Sequence, residues 1–286
     1  MIERIAILGT GLLGTSAGLA LRAGGYRGAI TGWNRSPEQA QTALNMGALD
    51  SVATDPIEMA RESQVVLLAT PVYAILDWME QLSTVLGSEH LITDVGSTKA
   101  QITSAADRLF NRPGRATFLP GHPMAGKERG GAALGDAELF RGAVWMFTDD
   151  PRWKLSPDAV ELVKLWREWV TAIGAKVIDV DSMRHDELVA WVSHLPQFVA
   201  TALSALLEDQ VGDAPELKDV GGRGLREMTR LGASPYSMWR DIAHTNTEAV
   251  QEALFALEQR LAHIRENLRT PELREEFDKA NRFRKE

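Results

Sequence analysis

The hexapeptide Gly9-Thr10-Gly11-Leu12-Leu13-Gly14 stands directly behind the apolar run Ile5-Ala6-Ile7-Leu8, within the first 14 residues of the chain. A buried strand that enters a G-x-G-x-x-G turn and then a helix is the opening unit of a dinucleotide-binding α/β sheet. Gly9 permits the tight turn, Gly11 lets the backbone approach a pyrophosphate, and Gly14 lets the helix pack close to the strand. The helix that opens at Leu12 and Leu13 turns its unbonded N–H groups toward the phosphates.

The pattern continues in kind. Apolar runs at 29–32, 65–69, 91–94, 117–119, 144–147 and 176–180 alternate with segments of helical period at 15–22, 38–46 and 157–173. Strands alternating with helices imply βαβ units and a mostly parallel sheet. Gly174 after Ile173 reads as a helix stop. Beyond 180 no further strand-like run appears. Asp181 or Ser182 can cap a long helix carrying Leu188, Val192, Leu195, Val199, Leu203 and Leu206 on one apolar face, with a kink expected at Pro196. A later stripe, Val250, Leu254, Leu257, Leu261, Ile264 and Leu268, has heptad-like spacing that suits helix packing, either within the chain or between subunits. The expected fold is therefore an α/β Rossmann-type dinucleotide-binding domain over residues 1–181, followed by an all-helical domain over 182–286.

With 286 residues and 44% hydrophobic content, the chain is long enough for two packed cores. It has no cysteine, which excludes disulfides, thiolate metal sites and a Cys nucleophile and fits a cytoplasmic protein; no metal site is expected. The formal charge of −8 argues against nucleic acid as a partner, and an anionic substrate must be met by local cations. No apolar run approaches the roughly 20 residues that cross a bilayer, and the N-terminus enters a strand at once, so neither a membrane span nor a leader is expected.

In NAD sites an acidic residue usually lies about 20 residues beyond the glycines, on the ribose 2′-hydroxyl. Here that position holds Asn34, followed by Arg35 and Ser36. With no carboxylate there and a guanidinium available for a 2′-phosphate, the reading favours NADP, with NAD the alternative. Thr70 and Pro71, after the run at 65–69, should line the same crevice.

A second ligand would meet the cofactor at Asp94-Val95-Gly96-Ser97-Thr98-Lys99, which offers a hydroxyl and a cation, and at Gly121-His122-Pro123-Met124-Ala125-Gly126. His122, after a strand end, can take a proton as hydride leaves. His194 and Gln197 share a face of the kinked helix. Arg226 and Arg230, four apart, could hold a dicarboxylate with Glu227 orienting one of them, although a surface ion-pair helix is the plainer reading of that segment alone. His90, His244 and His263 read as solvated, and His185 as a local cap or partner.

These motifs, with Ser193-His194-Leu195-Pro196 and with Thr229-Arg230 followed by Met238-Trp239-Arg240-Asp241, resemble the prephenate dehydrogenase family (prephenate, arogenate and cyclohexadienyl dehydrogenases) nearly end to end. The resemblance implies oxidative decarboxylation: hydride leaves C4 of prephenate, the ring carboxylate departs as carbon dioxide, and 4-hydroxyphenylpyruvate forms on the way to tyrosine. It implies that His122 takes up the 4-hydroxyl proton and that Ser97 orients His122 and that hydroxyl. It also implies that Arg230 holds the ring carboxylate with charge added by Arg226, that His194 contacts the ligand, and that Glu128 stands at the mouth near Arg230 and Glu227. The helical domain would form a homodimer. Two departures matter: Gln197 stands where some members carry a second histidine, and Asn34-Arg35 replaces the acidic NAD version. With the chain ending at 286, no regulatory domain is expected, so tyrosine would inhibit only by competition. The rival readings are arogenate dehydrogenase, another dehydrogenase or imine reductase of similar build, and a non-enzymatic NADP-sensing protein with no use for His122.

Overall fold

The computed structural model describes residues 1–285, so the last residue of the expected helical domain, Glu286, lies outside them. The chain runs β1 (Arg4–Leu8), α1 (Leu12–Ala23), β2 (Ala29–Trp33), α2 (Pro37–Asn45), β3 (Ser51–Val52), α3 (Pro56–Arg61), β4 (Val65–Leu68), α4 (Val72–Ser83), β5 (Leu91–Asp94), α5 (Ala100–Leu109), β6 (Thr117–Leu119), β7 (Gly121–Pro123), β8 (Val144–Phe147), α6 (Pro157–Ala172) and β9 (Lys176–Asp179). Helices follow: α7 (Ser182–Val189), α8 (Leu195–Val211), α9 (Leu217–Val220), α10 (Arg223–Thr229), α11 (Tyr236–Thr245), α12 (Thr247–Glu266) and α13 (Glu272–Lys285).

Six strands form one sheet in the order β3-β2-β1-β4-β5-β6, every pair parallel. Successive strand residues face opposite sides, and the two sides bury different partners. Ile5, Ile7, Val65 and Leu67 pack with α1 residues Ala17 and Leu21 and with Trp145 and Trp166. Ala6, Leu8, Val66 and Leu68 pack with Ile75, Met79 and Leu82 of α4 and Ile102 of α5. Burial on both faces is why these strands are unbroken apolar runs. The strand order reverses between β1 and β4, and the crevice beyond their carboxyl ends is where such sheets take ligands.

Two strands lie outside the expected runs. β3 is a two-residue edge, too short to leave a pattern. β7 contains Gly121 and Pro123, both poor strand formers, yet it pairs antiparallel with β8, which pairs parallel with β9. Pro123 is tolerated because β7 is an edge. His122 therefore belongs to a strand, opposite Met146, and not to a loop behind one.

Asp181 caps α7, accepting from the N–H groups of Met183 and Arg184, and Gly174, with φ of +91°, ends α6 as expected. At Pro196 the chain does more than kink. Residues Ala190–His194 form a π-helical turn between α7 and α8. Proline has no N–H and its ring clashes with the carbonyl four residues back, and widening the preceding turn relieves both.

The expected apolar face of this long helix is only partly buried, with Leu188, Leu195, Val199 and Leu203 half-buried. Inside the chain the helix buries His185, Asp186, Val189, His194, Gln197 and Ala200. Val192 and Leu206 instead face outward, Val192 being 64% exposed. The stripe on α12 behaves similarly: Val250 is buried, but Leu261 is 56% exposed. Contrary to the expectation from run length, Ser182–Val211 is long and apolar enough by composition to cross a membrane, at a mean hydropathy of 1.2. Its inward polar groups, however, are bonded to the rest of the protein, an arrangement that a lipid-facing helix does not need.

The helical part docks on the sheet through specific polar bonds. Asp186 accepts from Lys99 N at 2.7 Å and Ala100 N at 2.9 Å, satisfying the start of α5. Thr98 and Thr245 share a buried hydroxyl bond of 2.7 Å. The carboxylate of Asp241 lies 3.4 Å from Tyr73 N at the start of α4.

Candidate active site

The first part of the site is a cradle at the strand-order reversal. Gly9 has φ of +102°, and a Cβ there would come within 2.5 Å of the Ala69 carbonyl. A Cβ on Gly14 would lie 2.0 Å from the Gly9 carbonyl. Only glycine fits either place. A Cβ on Gly11, in contrast, would meet nothing within 4 Å, so the chain here borders open space. No side chain caps α1, so the first N–H groups of Leu12 and Leu13 remain available. Thr70 Oγ1, beside Gly9, is buried without a partner among the described residues, and Pro71 opens α4. An uncapped helix start, a glycine-lined gap and an orphaned hydroxyl together fit a dinucleotide pyrophosphate. Past β2, Asn34 Oδ1 accepts from Ser36 N, and Arg35 is exposed with no ion pair among the described residues.

The second part is a buried chain of polar groups. His122 Nδ1 lies 2.8 Å from His185 Nε2, and His185 Nδ1 lies 2.7 Å from Asp186 Oδ1. A carboxylate only accepts, so His185 carries its proton on Nδ1 and accepts at Nε2. His122 then donates from Nδ1, which leaves a lone pair on Nε2. No hydrogen bond within the described residues engages that Nε2. Burial, aided by His185, Lys99 and His194, holds His122 well below the ordinary imidazole pKa, so it is a neutral base.

His194 has the complementary form. Asn246 Nδ2 donates to the Asp186 carbonyl at 2.8 Å and lies 3.3 Å from His194 Nδ1. His194 thus accepts at Nδ1 and carries N–H at Nε2, which is buried and has no partner among the described residues. Its pKa is lowered to about 4, chiefly by burial. Trp239 lies edge-on to it, ring centroids 5.9 Å apart, with its own indole N–H unpartnered.

Several expectations need correction. Lys99 is not a cation open to a ligand: it is fully buried and paired with Asp94 at 2.5 Å. Asp94 also accepts from Gly96 N and Gly121 N, so it ties the 94–99 turn to the start of β7. Ser97 is half-buried and makes no hydrogen bond to His122, because His185 occupies that role. Gln197 is buried and already bonded, donating to the Leu231 carbonyl at 2.8 Å and accepting from Ser234 Oγ at 3.1 Å. It also donates to Thr201 Oγ1 at 3.2 Å, and through Leu231 it secures the 3-10 turn Arg230–Ala233. Glu227 pairs with Arg223, not with Arg226 or Arg230. His90 is buried, with Nε2 3.1 Å from the Arg61 carbonyl, and is not solvated. His185 and Asp186 are the residues that sequence reasoning missed. The only signal was their adjacency as a His-Asp dipeptide at a helix start, which reads equally well as a local cap.

The third part is the mouth. Arg230 forms an ion pair with Glu128, and both remain partly open to solvent, at 59% and 31%. Arg226 is exposed, with no ion pair among the described residues.

Comparison with known proteins places this geometry. A family model described as prephenate dehydrogenase, nucleotide-binding domain, matches residues 17–179, and one described as prephenate dehydrogenase, dimerization domain, matches 181–282. The prephenate dehydrogenase of Bacillus subtilis (strain 168) is 34% identical over 252 residues, which is 87% of this chain and 66% of that protein. The chain thus spans about two thirds of the length of that relative. The crystal structure of prephenate dehydrogenase from A. aeolicus, in complex with hydroxyphenyl propionate and NAD+, superposes with a TM-score of 0.84 at 28% identity, covering 100% of this chain and 96% of the other. Synechocystis arogenate dehydrogenase gives 0.77 at 27% identity, covering 99% of each chain.

Proposed function

The chain belongs to the prephenate dehydrogenase family, and on that premise we propose that it converts prephenate to 4-hydroxyphenylpyruvate and carbon dioxide with reduction of a nicotinamide dinucleotide. The observation that carries this reading is the free Nε2 lone pair of His122, fixed by His185 and Asp186. Residues 1–181 serve as the dinucleotide-binding domain and 182–286 as the helical substrate and dimer domain.

Gly9, Gly11, Leu12, Leu13 and Gly14 hold the pyrophosphate, Thr70 and Pro71 line the crevice, and Asn34, Arg35 and Ser36 meet the ribose. When bound, the nicotinamide dinucleotide supplies the acceptor for the hydride from C4. His122 Nε2 accepts the proton of the substrate's 4-hydroxyl, and the resulting imidazolium is stabilised by donating from Nδ1 to His185, which Asp186 holds in the accepting tautomer. With Nδ1 already donating, the imidazole presents only one basic nitrogen, already aimed. Ser97 acts on the substrate hydroxyl directly. His194 offers its Nε2 hydrogen to an acceptor oxygen of the ligand. Arg230, released from Glu128, takes the ring carboxylate, with Arg226 adding charge nearby. Gln197 contributes by holding the turn on which Arg230 sits.

Arg35 favours NADP over NAD, because an unpaired guanidinium suits a 2′-phosphate. The outward apolar faces of α8 and α12 pair two copies of the chain, in keeping with the dimerization domain matched there.

The test is reduced-nicotinamide absorbance with prephenate and arogenate, each offered with NAD+ and NADP+. Turnover of prephenate with NADP+ is the expected result. Turnover of arogenate alone keeps the chemistry and changes the substrate, and no turnover in any mixture overturns the reading.

A further inference from the structure

The turn after β2 holds a carboxylate that counting along the sequence passes over. Glu38 lies in the first turn of α2, and its Oε2 accepts the Ser36 hydroxyl at 2.6 Å. Ser36 is the N-cap residue of α2, where serine normally accepts a backbone N–H. Here its side chain makes no such cap bond. Its hydroxyl proton goes to Glu38 and its backbone N–H to Asn34 Oδ1 at 3.0 Å, so both donors of Ser36 are committed inside the turn. Glu38 is exposed, and the Ser36 bond lowers its pKa, so it is anionic at neutral pH. The turn thus presents one cation, Arg35, with an anion three residues on and no donor left on Ser36.

We propose that Glu38 is a specificity-determining residue for the nucleotide: its carboxylate claims the Ser36 hydroxyl and adds a negative charge to the turn that carries Arg35, which keeps the preference for a 2′-phosphate small and leaves room for a 2′-hydroxyl. A phosphate at Arg35 and Ser36 must compete with Glu38 for the hydroxyl proton and bear a like charge within a few ångströms. A ribose hydroxyl meets neither obstacle, and it can donate to the carboxylate. The inference rests on the reading above that the ribose lies over Asn34, Arg35 and Ser36.

The experiment measures equilibrium dissociation constants of NADP+ and NAD+ for the full chain by titration calorimetry, without substrate or turnover. Glu38→Gln keeps an acceptor for Ser36 and removes the charge. The ratio of the NAD+ constant to the NADP+ constant should rise about fivefold, the scale of one like-charge contact removed at about 4 Å in water. Glu38→Lys, at the same exposed position, should raise it further. A ratio that stays within about twofold in both variants overturns the proposal. Arg35→Ala separates the two readings. If it weakens NADP+ while the Glu38 variants do nothing, only the role of Glu38 fails. If no variant at either position moves either constant, the placement of the ribose fails as well.

Discussion

The centre around His122 and the mouth around Arg230 use the same kinds of residue in opposite surroundings. At the centre, His122, His185, Asp186, Lys99 and Asp94 are all buried, each held by at least one hydrogen bond of 2.5–2.9 Å. At the mouth, Arg230 and Glu128 pair where solvent reaches both. Ion pairs in water contribute little and are screened by salt, whereas buried polar groups are costly to leave unpaired. The contrast teaches a division of labour. In the proposed reaction, the groups assigned to move a proton are locked by interior bonds, while the arginine and glutamate assigned to the substrate's entry are left free to exchange partners.

If that division is right, damage at the centre should strike turnover and damage at the mouth should strike affinity. His122→Asn should lower kcat by about 100-fold or more, the usual cost of losing a general base, with NADP+ affinity by calorimetry unchanged. Asp186→Asn should lower kcat by about ten- to a hundredfold, the loss of one charge-assisted bond. It should also lower Tm in a calorimetric scan, because the same carboxylate caps α5. Arg230→Ala should raise KM for prephenate about tenfold, the lower end of such a bond because the site is solvated, and leave kcat within a few-fold.

The centre also predicts acid sensitivity. The imidazoles of His122, His185 and His194 all titrate below their ordinary value in the fold, chiefly through burial, His194 at about 4. Between that value and 6.5 the unfolded chain binds more protons than the folded one, so stability rises with pH across the window and is lost as pH falls through it. Tm should drop by several degrees between pH 6.5 and about 4, and His194→Gln should flatten part of that drop. The smallest effect belongs to Glu128→Gln, which should shift KM by no more than about fivefold, and less at high salt. A large loss of kcat in that variant would break the division.

The sheet was legible because its strands are buried on both faces and therefore read as apolar runs. β3 and β7 were not, being two and three residues long, the latter built from Gly121, His122 and Pro123. His122 stood out by its motif. Its partner did not, because 63 residues separate it from His185 and nothing local announces the pairing. Lys99 and Gln197 misled in the same way. A lysine in a glycine-rich turn looks open until Asp94 is seen folded back on it, and a glutamine beside a histidine looks aimed at a ligand until Leu231 and Ser234 are seen to use it. Periodicity did find the apolar stripe of the long helix, but the inward side could not be told from the outward one without knowing that the interior there is polar.

Asp186 joins two jobs in one carboxylate: it orients His185 and it binds the amides of Lys99 and Ala100 across the two halves of the chain. Those two amides are therefore built-in reporters of a cooperative unit. If they exchange only when the helical half lifts from the sheet, the same opening frees His185 to rotate and leaves His122 without a fixed tautomer. Exchange protection at residues 99 and 100 and retention of catalytic competence should then share one opening free energy, and they should fade together, at one temperature or one denaturant concentration, with no partly active species in between.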